Sequence, residues 1–166
     1  TMPEMQKAMN LVRPTLMPET KHVAAEGPLV DTHAHAYTLD MPLSPTAWHR
    51  PPHDAPIENY IKELDTHGIT HAVLAGASIF GDYNDYQIAA LRKYPRLRGT
   101  VILNNPAIDR YILEMMKADG VVGVRFQRRN VASPPDLSSL EYKLVLRPVA
   151  DLGWHAHILE NDGERI

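Results

Sequence analysis

His33 and His35 stand two residues apart in Leu29-Val-Asp-Thr-His-Ala-His-Ala-Tyr37, directly after two apolar residues. Alternate side chains of an extended strand share a face, so Asp31, His33 and His35 are expected to project together. Paired imidazoles at a strand end can grip a metal ion or bind an anionic or carbonyl group. The structural alternative is a pair of polar strand caps. Asp31 is expected either to fix a histidine tautomer or to satisfy local backbone. Arg125 ends the apolar run Val121-Val-Gly-Val124. A guanidinium there is costly to bury without a partner. A substrate carboxylate matches its fork geometry; a salt bridge to an acidic neighbour such as Asp31 or Glu160 is the structural alternative. Ser78 can donate to a substrate oxygen or to a strand-end carbonyl. No Gly-x-Ser-x-Gly surrounds it, so it is not read as a nucleophile.

These residues need a scaffold, and the pattern of the chain supplies one. Strands are expected at about 29–35, 71–80, 97–104, 121–127 and 154–160. Helices are expected at 57–67, 84–93, 109–117 and 136–152, the last restarting at Pro148. The first helix rests on Ile57, Tyr60, Ile61 and Leu64 at i, i+3, i+4, i+7. Gly81-Asp-Tyr-Asn84 reads as a turn that caps the second helix. The strands are near-continuous apolar runs, as parallel sheets covered on both faces require. Strand–helix alternation leaves an open doubly wound sheet or part of a parallel (β/α) barrel. No Gly-x-Gly-x-x-Gly or phosphate loop follows the first strand, which weakens the nucleotide-binding form. His33 and His35 lie at a strand's C-terminal end, where β/α barrels place their chemistry.

The fold class expected is therefore α/β, a (β/α) barrel of TIM type. A whole barrel has eight strands and about 250 residues. The 166 residues here reach about the fifth strand, so a C-terminal portion carrying further ligands is expected to be missing. Residues 1–28, with Pro3, Pro14, Pro18 and Pro28, read as an arm with one short helix near 4–11. Such an arm packs on a surface or on a second subunit, which leaves a homo-oligomer open. Residues 29–166 form the barrel portion. The long loop 38–56, stiffened by four internal prolines, holds Trp48, His49, Arg50 and His53 and could cover the site.

Composition narrows the function classes. Apolar residues make up 44% and charged residues 22%, which is globular rather than disordered. A net charge of −3 gives no electrostatic reason to expect nucleic acid or an anionic membrane as partner. The absence of cysteine excludes disulfides and thiolate metal sites, and is compatible with a cytoplasmic location. No apolar run reaches the length of a membrane span.

Four segments together resemble the amidohydrolase superfamily. They are Val30-Asp-Thr-His-Ala-His35, Ala77-Ser-Ile-Phe-Gly-Asp-Tyr-Asn84, Gly120-Val-Val-Gly-Val-Arg-Phe126 and Leu152-Gly-Trp-His155. Within it they are most similar to the branch of TIM-barrel metal-dependent hydrolases related to 2-pyrone-4,6-dicarboxylate lactonase. The resemblance spans residues 29–160. It implies that His33 and His35 either bind a divalent metal, zinc or manganese, or hold substrate without one. It implies substrate contacts for Ser78 and Arg125, and more loosely for Arg128 and Arg129. The fifth-strand position that often carries a ligand is Leu159 here, which counts against a fully ligated metal. His157 is off that pattern.

The function expected is hydrolysis, or a related isomerisation or decarboxylation, of a small carboxylate or lactone. His33 and His35 are the catalytic candidates, to bind a metal or polarise the carbonyl, with water activated by a carboxylate in the missing C-terminal portion; Ser78, Arg125 and Arg128 are the substrate-binding ones. The alternative is a shortened, inactive barrel that serves as a binding or structural partner, its open sheet edges inviting another chain.

Overall fold

The structure, a computed structural model, describes residues 27–105, 107–129, 131, 134 and 136–163. The helix expected near 4–11, and all of the arm except Gly27 and Pro28, lie outside the described residues. Five strands are present: β1 (Val30–Ala34), β2 (His71–Ala75), β3 (Leu97–Val101), β4 (Val121–Gln127) and β5 (His155–Leu159). Between them run α1 (Ile57–Thr66), α2 (Asp85–Lys93), α3 (Arg110–Ala118) and α4 (Leu140–Asp151).

All neighbouring strands pair in parallel, in the order β1-β2-β3-β4-β5. A doubly wound sheet reverses its order at a switch point; this one does not. The sheet also curls. His33 on β1 and His157 on β5 belong to opposite edge strands, yet their ring centroids are 5.1 Å apart. In a flat sheet those edges would lie about 19 Å apart, four strand spacings. Five parallel strands in sequential order, curled to this degree, are the N-terminal part of a TIM barrel.

The main core lies between the sheet and its helices. Leu64, Leu74, Leu97, Val101, Leu113 and Val124 are each at most 1% exposed. The α1 stripe is as expected, with Ile57 and Leu64 buried and Tyr60 and Ile61 packed beside them. Asp109 caps α3 by accepting from the Tyr111 backbone N–H at 2.7 Å, and Ser139 caps α4 through Tyr142.

Several boundaries differ from those expected, each for a local reason. The second strand ends at Ala75, and Ser78–Phe80 forms a short 3-10 turn closed by Gly81 at φ +59°. The third strand stops at Val101 because the Asn84 side chain takes over the next residue. It donates to the Ile102 carbonyl at 2.9 Å and accepts from the Ile102 N–H at 3.2 Å. Asn84 precedes α2 but makes no side-chain cap. The last helix begins at Leu140, after a turn in which Asp136 accepts from Ser138. It runs without interruption through Pro148. Leu144, whose carbonyl loses its partner to the proline ring, lies on the solvent face at 61% exposure, where water can replace that bond.

Candidate active site

The loops after the C-terminal ends of the strands enclose a cavity of about 320 Å³. Its wall includes His35 and Tyr37 from the end of β1, Ser78 from the 3-10 turn, Arg125 and Gln127 from β4, and Leu159 from β5. Arg129 and the loop residues Trp48 and His49 complete the mouth. The long loop is pinned rather than loose. Tyr37 and Ala55 exchange both backbone hydrogen bonds at its base, and the Ser44 N–H donates to the Ile79 carbonyl at 2.8 Å. The Trp48 and His49 rings lie 3.9 Å apart, centroid to centroid. Arg50 and His53 do not line the cavity.

Strand register explains what meets there. Arg125 and Gln127 alternate with Val124 and Phe126, which face the helices, so the polar pair faces the interior of the curl. Parallel pairing sets Arg125 beside His157 and Gln127 beside Leu159. On β1 the register shifts between Asp31 and Ala34, which breaks the simple alternation. Asp31 therefore does not hydrogen-bond an imidazole: it accepts the Tyr60 hydroxyl from α1 at 2.7 Å and the backbone N–H of His33 at 3.0 Å. His35 directs Nδ1 at the Ala75 carbonyl, 2.7 Å away. A carbonyl only accepts, so Nδ1 is the protonated nitrogen and Nε2 keeps its lone pair.

Arg125 dominates the electrostatics. It is 5% exposed, and one terminal nitrogen donates to the Gly76 carbonyl. Its Nε has no partner among the described residues. Neither Asp31 nor Glu160 pairs with it; Glu160 engages Arg128 instead at 3.3 Å, with the carboxylate 1% and the guanidinium 9% exposed. Among the described residues no carboxylate side chain lines the cavity. Arg125 thus presents a buried positive charge to a cavity for which the described residues offer no counterion.

That charge and burial act on three imidazoles. His33, His35 and His157 are each held below the ordinary value of 6.5, chiefly by burial and then by Arg125; for His35 the Ala75 carbonyl opposes the shift, and for His33 the Asp31 carboxylate does. All three are neutral at pH 7. The folded chain then binds fewer protons than the unfolded chain once the pH drops below 6.5. Their contribution to stability is full above that pH and is lost as the pH falls through their lowered values. Calorimetry should show Tm dropping as the pH falls below about 6.5. The drop should shrink when His33 and His157 are both replaced by asparagine.

Of the residues singled out in the sequence, the structure brings Ser78, Arg125 and His35 to one cavity; His33 does not line it but stands beside it, in ring contact with His35 at 5.0 Å. Arg129 joins them, whereas Arg128 is held by Glu160 and does not line the cavity. In the sequence, alternation from Leu159 lets His157 reach the mouth, with core packing as the simpler expectation, and Gln127 is not among the expected site residues. Gln127 follows from period-two alternation from Arg125, but the meeting of His157 with His33 requires the curl of the sheet, which no local pattern encodes.

The amidohydrolase resemblance raises the question of a metal. Zinc takes three or four protein ligands in such sites. Among the described residues no group of three or more histidine or carboxylate side chains is arranged to hold a metal ion. His33 meets both neighbouring rings edge to face, and the Arg125 charge stands beside them. The described residues alone do not fit a metal centre.

Comparison with known proteins agrees with this scaffold. The amidohydrolase family model matches residues 30–163. A 4-sulfomuconolactone hydrolase from Hydrogenophaga intermedia is 28% identical over 126 residues, covering 75% of this chain and 41% of that one. The crystal structure of a probable 2-pyrone-4,6-dicarboxylic acid hydrolase from Acinetobacter baumannii, with citric acid bound, superposes with a TM-score of 0.75. It is 31% identical, covering 80% of this chain and 49% of its own. A second protein given that assignment, from Pseudomonas putida, has a TM-score of 0.71 at 32% identity, with 79% and 48% covered. The chain spans about half the length of these relatives or less. No helix among the described residues is long and apolar enough to cross a membrane. With a family match over most of its length, on a scaffold and strand-end site of the expected kind, the chain belongs to the amidohydrolase family.

Proposed function

We propose that the protein hydrolyses a small anionic lactone at this cavity. The observation that carries the reading is Arg125: a buried guanidinium that has no acidic partner among the described residues and faces a cavity that none of them lines with a carboxylate. Such a group is costly unless a ligand supplies the anion. The lactone hydrolases among the relatives, named for a sulfonated and a dicarboxylated ring, support that substrate class. Arg125 holds one anionic group, and Ser78 and Arg129 orient the rest of the ring.

The chemistry divides between the β1 histidines. Neutral His33 donates an N–H to the lactone carbonyl and stabilises the oxygen as charge develops. His35, with Nδ1 tied to Ala75, takes a proton from the attacking water at Nε2. The water oxygen bonds to the carbonyl carbon, the ring C–O bond breaks, and the proton passes to the departing ring oxygen. The test is a pH-stat assay of the intact protein with 2-pyrone-4,6-dicarboxylate at neutral pH. Stoichiometric proton release as the ring opens is expected. Absence of proton release at millimolar lactone contradicts the reading.

A second reading has its own observation. β1 and β5 are open edges among the described residues, and Val30 on β1 is 50% exposed. A binding or structural partner built this way would bind citrate or another polycarboxylate at Arg125 and release no protons from lactones.

A further inference from the structure

His33 is held in an unusual way. Its ring lies between two other imidazoles, 5.0 Å from His35 at an interplanar angle of 81° and 5.1 Å from His157 at 83°. His35 is fixed independently by its bond to Ala75. The His33 ring makes no hydrogen bond to a described residue; only its backbone N–H is used, by Asp31. The residue is exposed, so little besides the flanking rings restricts its rotamer. His157 comes from the far edge strand and lies beside Arg125 in register. It is not a member of the hydrophobic core, whereas its neighbour Ile158 packs against that core.

We propose that His157 is a positioning residue of this site. It reaches across the interior of the curled sheet, clamps the His33 imidazole edge to face against His35, and leaves a His33 ring nitrogen for the ligand. The proposal rests on the hydrolytic reading for its kinetic consequence, though not for its structural one. An edge-to-face pair favours the clamped rotamer by roughly threefold to tenfold. The same factor bounds the effect on turnover. Binding of the anion is left to Arg125, so KM should be nearly untouched.

The experiment compares His157→Ala, His157→Phe and His157→Gln in the intact protein, with two readouts. The first is the NMR position of the His33 ring protons without ligand, assigned by their loss in His33→Asn. The second is kcat and KM for 2-pyrone-4,6-dicarboxylate. In His157→Ala the His33 signals should move toward unstructured values, and kcat should fall about threefold to tenfold with KM within about twofold. Phenylalanine, which keeps an aromatic ring, should restore both; glutamine, which keeps only hydrogen bonding, should restore neither. Unchanged His33 signals in His157→Ala overturn the proposal. So does a raised KM rescued by glutamine rather than phenylalanine, because His157 would then touch the ligand itself. If the wild type turns over no lactone yet the His33 signals still move and phenylalanine restores them, the clamp stands and the hydrolytic reading falls.

Discussion

Replacing Arg125 with methionine should lower kcat/KM for an anionic lactone by about 10²- to 10³-fold, mostly through KM, while leaving Tm unchanged or raised. The two effects have one cause. A charge-assisted pair between guanidinium and carboxylate contributes about 3–4 kcal/mol when both hydrogen bonds are made, which corresponds to that loss of affinity. In the free chain the same guanidinium is 5% exposed and has no acidic partner among the described residues, so its burial opposes folding. Methionine fills similar space without the charge. It gives up the bond to the Gly76 carbonyl, which limits the gain in stability. Activity lost with stability kept is the signature of a residue retained for its ligand. Steady-state kinetics with parallel thermal melts measure both. A fall in Tm of many degrees would show instead that Arg125 is structural.

Replacing His35 with asparagine should act on the other kinetic constant. The asparagine amide can still donate to the Ala75 carbonyl, which holds the end of β1 against β2. It has no basic nitrogen in place of Nε2. Loss of a general base costs about 10²- to 10⁴-fold, so kcat should fall by that amount with KM changed little. The loss should be largest near neutral pH, where His35 is neutral and its lone pair available. Retention of more than half of wild-type kcat would remove His35 from the chemistry and leave it as a strand-end anchor.

The scaffold was legible because its signals are local. Ile57, Tyr60, Ile61 and Leu64 mark a helix face by spacing alone, and the apolar runs mark buried parallel strands. The sites that resisted reading are those where one segment borrows a bond from another. Asn84 caps nothing because its amide is spent on Ile102, eighteen residues away. Arg128 and Arg125 look alike in sequence, but Glu160 pairs with Arg128 and not with Arg125, which faces the cavity. Asp31 appears to share a face with the histidines until the irregular register on β1 turns it to Tyr60. His157 becomes a neighbour of His33 only because five strands curl. The residue types for anion chemistry were thus visible in the chain, and their partnerships were not.

In the proposed function Arg125 reads the negative charge of a lactone substrate. The most direct test measures kcat/KM for wild type and Arg125→Met on two lactones, 2-pyrone-4,6-dicarboxylate and its uncharged dimethyl ester, followed through ring opening. Wild type should prefer the dianion by about 10²-fold or more, and the variant should lose that preference. A preference of equal size in both proteins would contradict the account.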